Sequence, residues 1–149
     1  MYFLNPTPEA LAQQRRDRQR TTAFWQELFL FLHAYAKLLV FDFFLPRKGF
    51  EAIYEQVRLY PLRPSRGGLG SNQVCSAVDL ACVLYWKQVL CLQRSVVTTC
   101  LLRSHGVPAQ LVIGAQRMPF KAHAWVEVAN RVVSDQPDMR ELYQVITCC

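Results

Sequence analysis

The sequence predicts an α+β fold: N-terminal helices, then a helix bearing a candidate nucleophile, packed on a small antiparallel sheet. Two successive patterns carry that expectation. As far as residue 104, apolar side chains recur at intervals of three and four, as in helices with a buried stripe. After Pro108 the interval shortens to two, as in strands with one covered face. A third observation concerns chemistry. Cys91 falls at a helix start, His123 on a following strand and Asp135 on the strand after that.

The first helix opens at Thr7-Pro8-Glu9, with a hydroxyl at the cap, proline at the first helical position and an acid in the first turn. It is polar to Arg20. From Thr22 it turns apolar on more than one face, through Phe24, Trp25, Leu28, Phe29, Phe31, Leu32, Tyr35, Leu38, Leu39 and Phe43, until Pro46 stops it. That pattern expects a largely buried helix, or one whose other half meets another surface. Residues 49–59 give a short amphipathic helix through Phe50, Ile53, Tyr54 and Val57. Residues 61–72, rich in proline and glycine, read as a crossing loop between a helical region, 1–60, and a core, 73–149. In that core a helix is expected over 76–87, a turn over 88–90 and a helix from Cys91 to about Ser104. The apolar stripe Leu92, Val96, Val97, Cys100 and Leu101 leaves Cys91, Arg94, Ser95 and Thr98 to a different face. Gly106 suits the left-handed cap position behind His105. Strands follow through Leu111 and Ile113, over 122–128 and over 131–134.

Length and charge narrow the classes. At 149 residues the chain has the size of one domain with a real core. The net charge of +6 comes largely from Arg15, Arg16, Arg18, Arg20, Arg63 and Arg66, a solvated-face pattern. Without interleaved exposed aromatics or a groove-reading motif, nucleic acid is not an expected partner. Glu27, His33, Lys37 and Asp42 interrupt the longest apolar stretch, so no transmembrane segment is expected. The opening residues lack a signal-peptide layout, which gives a cytoplasmic expectation with reduced thiols. The six cysteines include no Cys-x-x-Cys pair, so neither a metal nor a cofactor is expected; Cys148-Cys149 reads as an exposed tail.

A thiol attacks as its thiolate, which a helix N-terminus stabilises through unpaired N–H groups and the macrodipole. Cys91 alone of the six stands at such a position, whereas Cys82 and Cys100 lie on apolar stripes. The base must lie within reach of the thiol and be oriented by a third group. Of three histidines, His123 begins a strand, and Asp135 is the preferred acid over Glu127, Asp138 and Asp79. Period two adds a condition. A three-residue hairpin loop, 129–131, sets Val128 opposite Val132 and brings His123 diagonally beside Asp135 on one face; a two-residue loop sets them on opposite faces.

The strings Cys91-Leu92-x-Arg94-Ser95, Leu101-Leu102-Arg103-x-x-Gly106, Leu111-x-Ile113-Gly114 and Phe120-x-Ala122-His123-Ala124-Trp125-Val126-Glu127, with Asp135 twelve residues past the histidine, resemble a known family. They are similar to the transglutaminase-like leader peptidases of lasso-peptide biosynthesis. The resemblance covers about residues 76–135 and implies a papain/transglutaminase-like fold. It further implies a cysteine protease with Cys91 as nucleophile, His123 as general base and acid, and Asp135 as orienting carboxylate. Its substrate would be a ribosomally made precursor peptide. Its partners would be a separate leader-recognition protein and an ATP-dependent lasso cyclase acting downstream. The backbone N–H of Cys91 is one candidate oxyanion donor and the amide of Gln88 another, while Trp125 either shields the histidine–aspartate pair or simply packs. Asn130 stands where glycine is expected in the hairpin, and the chain ends soon after Asp135, so the last strands are expected to be reduced. A non-catalytic scaffold and a transglutaminase-like acyltransferase remain as alternatives.

Overall fold

The computed structural model describes residues 8–44, 49–64 and 68–149. Thr7 and Pro46, the expected cap and stop of the first helix, lie outside the described residues. Helix α1 (Pro8–Phe44) is continuous. Its C-terminal half enters the core through Leu30, Ala34, Leu38 and Phe41, while Phe24, Trp25, Phe29 and Leu32 stay exposed. The helix is thus apolar on two opposite sides, which is why its Ala12–Phe43 stretch meets the length and composition of a membrane span despite its charges. Helix α2 (Gly49–Arg58) buries Ile53 and Val57.

Helix α3 (Ser71–Val83) begins and ends earlier than the expected 76–87. Gly70 is extended at the N-cap and its N–H donates to Gln73 Oε1 (3.2 Å), which starts the helix at Ser71. At the other end the chain turns at Leu84 so that Tyr85 can bury its ring. Helix α4 (Cys91–Ser104) has the expected bounds, and Gly106 takes φ +83° behind it, with Val107 N–H closing on Leu102 O (3.0 Å). The expected single stripe is corrected. Gln93, Ser95, Thr98 and Thr99 are buried as well, because helices cover one side of α4 and the sheet the other. Thr98 and Thr99 satisfy their hydroxyls on the carbonyls of Arg94 and Ser95 (2.8 and 2.9 Å). Arg103 staples the far end, donating to Ala109 O (2.8 Å) and Val57 O (2.6 Å).

The sheet has strands β1 (Ala109–Gln116), β2 (Lys121–Val128), β3 (Arg131–Val132) and β4 (Gln144–Cys148), in the order β3-β2-β1-β4. Every pairing is antiparallel. Ala124, Val126, Leu111 and Ile113 pack toward the helices. Trp125 and Val112 face the opposite way and are covered by helix α5 (Met139–Leu142) and Tyr143. The expected exposed tail holds for Cys148, but the segment is paired in the sheet. Cys148 ends β4, and Cys149 exchanges two backbone bonds with Leu111 (2.7 and 3.0 Å). Tyr54 of α2 ties this strand down, donating to Cys148 O (2.9 Å).

The three-residue hairpin loop is also corrected. Val128 pairs with Arg131 and Glu127 with Val132, which leaves a two-residue loop. Ala129 and Asn130 both take positive φ, 49° and 61°, the backbone that matches strand twist in such a loop. Asparagine accepts that conformation readily, and alanine takes it here at a cost of roughly 1–2 kcal/mol.

Candidate active site

The truncation of β3 creates the site. Even-numbered residues of β2 direct their backbone groups toward β3, as the Val133 N–H to Val126 O bond shows (3.0 Å). Beyond that bond the regular ladder stops. Ser134 Oγ, in place of the next carbonyl, accepts the N–H of Val126 (3.0 Å). One step further along the open edge, the carbonyl of Ala124 accepts a bond from Ser95 Oγ of α4 (2.8 Å). The helix therefore abuts β2 at the residue next to His123. Cys91 lies one turn before Ser95 on the same helix face.

His123 Nε2 and Asp135 Oδ2 are 2.8 Å apart. Strict continuation of the two-residue hairpin would have placed Asp135 opposite Ala124, on the wrong face. The bend after Val132 removes that constraint, and Ser134 enters the ladder by its side chain while Asp135 turns to the histidine. Asp135 Oδ1 accepts the N–H of Gln136 (2.9 Å), which fixes the carboxylate plane. Nε2 faces Asp135, so Nδ1 is the ring nitrogen left for another partner. Tyr143 stacks on the imidazole at 5.4 Å between centroids, and Trp125 at 6.4 Å. Trp125 thus both packs in the core and walls the histidine.

Two of the three competing acids are paired elsewhere. Glu127 is fully buried, accepts Trp125 Nε1–H (2.8 Å) and forms a two-bond pair with Arg140 (2.8 and 2.7 Å). That guanidinium holds the Glu127 carboxyl below the usual glutamate range. Asp79 pairs with Arg94 (2.7 Å), and Asp138 stands at the N-cap position of α5, where its side chain makes no cap bond. His33 and His105 meet each other at 6.3 Å, and burial lowers both.

The thiols also separate. Burial pushes Cys75 and Cys100 up to about 11 and raises Cys82 and Cys149, so these four stay protonated near neutrality. Cys91 is half-buried at the first position of α4. Leu90 at the N-cap supplies no side-chain acceptor, which leaves first-turn N–H groups to face a negative charge. Gln88 is exposed on the connection 84–90.

Sequence reasoning missed Tyr143, Ser134 and the structural role of Gly114. A Cβ at Gly114 would stand 2.8 Å from Trp125 Cη2 and 2.9 Å from Tyr143 Cβ. Gly114 pairs with His123 across β1 and β2, so this bare backbone lets both aromatic walls close on the histidine. Gly114→Ala is expected to cost about 1–3 kcal/mol through overpacking. A thermal melt and the Trp125 fluorescence check it, and an unchanged melt and spectrum would refute the close approach.

A helix that starts at a cysteine is laid against a small antiparallel sheet, with histidine on one strand and aspartate just beyond the next. Residues 38–148 match the transglutaminase-like superfamily, and the chain belongs to it. Over 56 residues the chain is 43% identical to the microcin J25-processing protein McjB of Escherichia coli. That stretch is 38% of this chain and 27% of McjB, so the match spans about a quarter of the relative's length. No solved structure matches.

Proposed function

We propose that this chain is a cysteine peptidase that removes the leader from a ribosomally made lasso-peptide precursor. It acts with a separate leader-recognition protein and upstream of an ATP-dependent lasso cyclase. The observation that carries this reading is the 2.8 Å His123–Asp135 bond beside the uncapped start of α4. A relative whose name makes it a processing protein supports the substrate class. Six free cysteines suit a reducing, cytoplasmic setting.

In this reading His123 Nδ1 takes the Cys91 proton, and the thiolate attacks the scissile carbonyl. The backbone N–H of Cys91 and the Gln88 amide stabilise the oxyanion. His123 then protonates the leaving amine, which departs and leaves an acyl-thioester on Cys91. Next it deprotonates a water that attacks the thioester, and returns the proton to the thiol.

The test incubates purified protein with precursor, with and without the recognition protein, and reads masses. Loss of the leader mass supports the peptidase. Co-purification without mass loss points to a scaffold, and an added amine mass points to acyl transfer. Asp135→Asn keeps the shape but lets the imidazole adopt the wrong tautomer, and is expected to lower kcat by roughly 10³–10⁴. Cleavage by Asp135→Asn at the native rate would remove Asp135 from the mechanism.

A further inference from the structure

Asp42 stands in the last turn of α1, with its side chain only 6% exposed. Three donors converge on its carboxylate: Tyr85 Oη at 2.7 Å, Lys87 Nζ at 2.9 Å and Gln93 Nε2 at 2.9 Å. Tyr85 and Lys87 belong to the connection that leads into α4. Gln93 belongs to the first turn of α4, is itself 4% exposed and also reaches the Leu38 carbonyl (3.4 Å). The partners of this one carboxylate therefore lie on both sides of Cys91 in sequence. The Tyr85 phenol, pushed up to about 12 mainly by burial, stays protonated and donates.

A buried carboxylate is costly unless its oxygens are satisfied, and here the donors that satisfy it bracket the nucleophile. The placement answers a local deficiency. Leu90 offers no side-chain cap, so besides the backbone bond from Arg94 N–H to Leu90 O (3.0 Å) no neighbouring side chain holds the first turn of α4. Three long-range anchors add to it. Ser95 ties the helix to Ala124 on the sheet, beside His123, Arg94 ties it to Asp79 on α3, and Gln93 ties it to Asp42 on α1. Cys91 precedes all three and takes its position from them.

We propose that Asp42 is a positioning residue for Cys91, holding the 84–90 connection and the first turn of α4 so that the thiol and the first-turn N–H groups keep their register with His123. The inference rests on the peptidase reading, because it assigns the network a purpose at the nucleophile. Misplacing a reacting group by about 1 Å costs on the order of 10² in rate.

Asp42→Asn keeps the volume but removes the charge and turns one of the two acceptor oxygens into a donor, so the three donors are no longer all satisfied. It is expected to lower kcat about 10²-fold with KM changed less than about twofold. Iodoacetamide alkylation, mapped to the peptide that holds Cys91, is expected to slow and to shift its pH profile to higher pH. Tyr85→Phe deletes one donor and is expected to lower kcat roughly 3- to 10-fold, as one hydrogen bond in a network is worth. Circular dichroism gives the folded fraction of each variant. If a folded Asp42→Asn keeps kcat and the alkylation profile, or loses kcat only in proportion to folded protein, the inference is overturned. Should Asp42→Asn fail to fold, Tyr85→Phe decides, and native kcat and alkylation there overturn it. A wild-type protein that cleaves nothing, but whose Cys91 alkylation still depends on Asp42, would retain the positioning role and reject the peptidase.

Discussion

Cys91→Ala is expected to abolish leader removal, lowering kcat by about 10⁶-fold, because loss of a nucleophile also strips the base of its function. The size follows from the absence of a substitute among the other thiols. Cys75 and Cys100 need pH near 11 to ionise, and Cys82 and Cys149 are raised by burial as well. Cys148 is exposed, but it lies at the end of β4, on the far side of β1 from β2 and His123. Cys148→Ser is therefore expected to cleave normally. Precursor masses read over time check both variants. Full cleavage by Cys91→Ala would sink the nucleophile assignment, and loss in Cys148→Ser alone would move it to the C-terminal strand. Binding gives a further distinction. Cys91→Ala removes one small side chain at a helix start, so the inactive protein should still capture precursor together with the recognition protein.

The helix start at Cys91 was legible because its signals are local: the short turn over 88–90 before it, and the glycine that closes the helix at Gly106. The histidine strand was legible for the same reason, through alternation. The route by which Asp135 reaches His123 was not. The condition of an odd hairpin loop assumed that β3 stays extended, whereas the ladder ends at Val132 and Ser134 pairs through its side chain. A side chain that replaces a backbone acceptor leaves no periodicity to read. Strand β4 was missed because Gln144-Val145-Ile146-Thr147 is short and slips at a bulge opposite Ile113 and Gly114. The polar residues of α4 misled in another way. Ser95 and Thr98 fall off the apolar stripe, yet they and Gln93 are buried, Ser95 and Gln93 with partners set by tertiary packing. Asp42 was read as a charge that interrupts an apolar helix. Its role emerges only when residues 85–93 fold back on α1.

Glu127→Ala is expected to be the most destabilising single change on the far face of the sheet. Glu127 is completely buried and holds three charge-assisted or neutral bonds, two from Arg140 and one from Trp125. Truncation leaves the Trp125 indole N–H buried without an acceptor and opens a void next to it. Breaking a buried pair costs about 3–5 kcal/mol, and the half-exposed Arg140, which can rehydrate, places this case at the low end. At this chain length that lowers Tm by roughly 6–12 °C. The pH dependence has a definite sign. Arg140 first, and Trp125 second, hold the folded-state pKa of Glu127 below its ordinary value of 4.5. The stabilisation is therefore fully present above that value and is lost as pH falls through the lower, folded-state pKa. The gap in Tm between wild type and Glu127→Ala should be full at neutral pH and narrow on acidification below about 4.5. Melts of both proteins at neutral and acidic pH measure it, and a gap that widens in acid would contradict the assigned pair. The consequence reaches the site through Trp125. This ring lies over Gly114 and against His123, so freeing its N–H should loosen the wall of the histidine and reduce kcat even in the folded fraction.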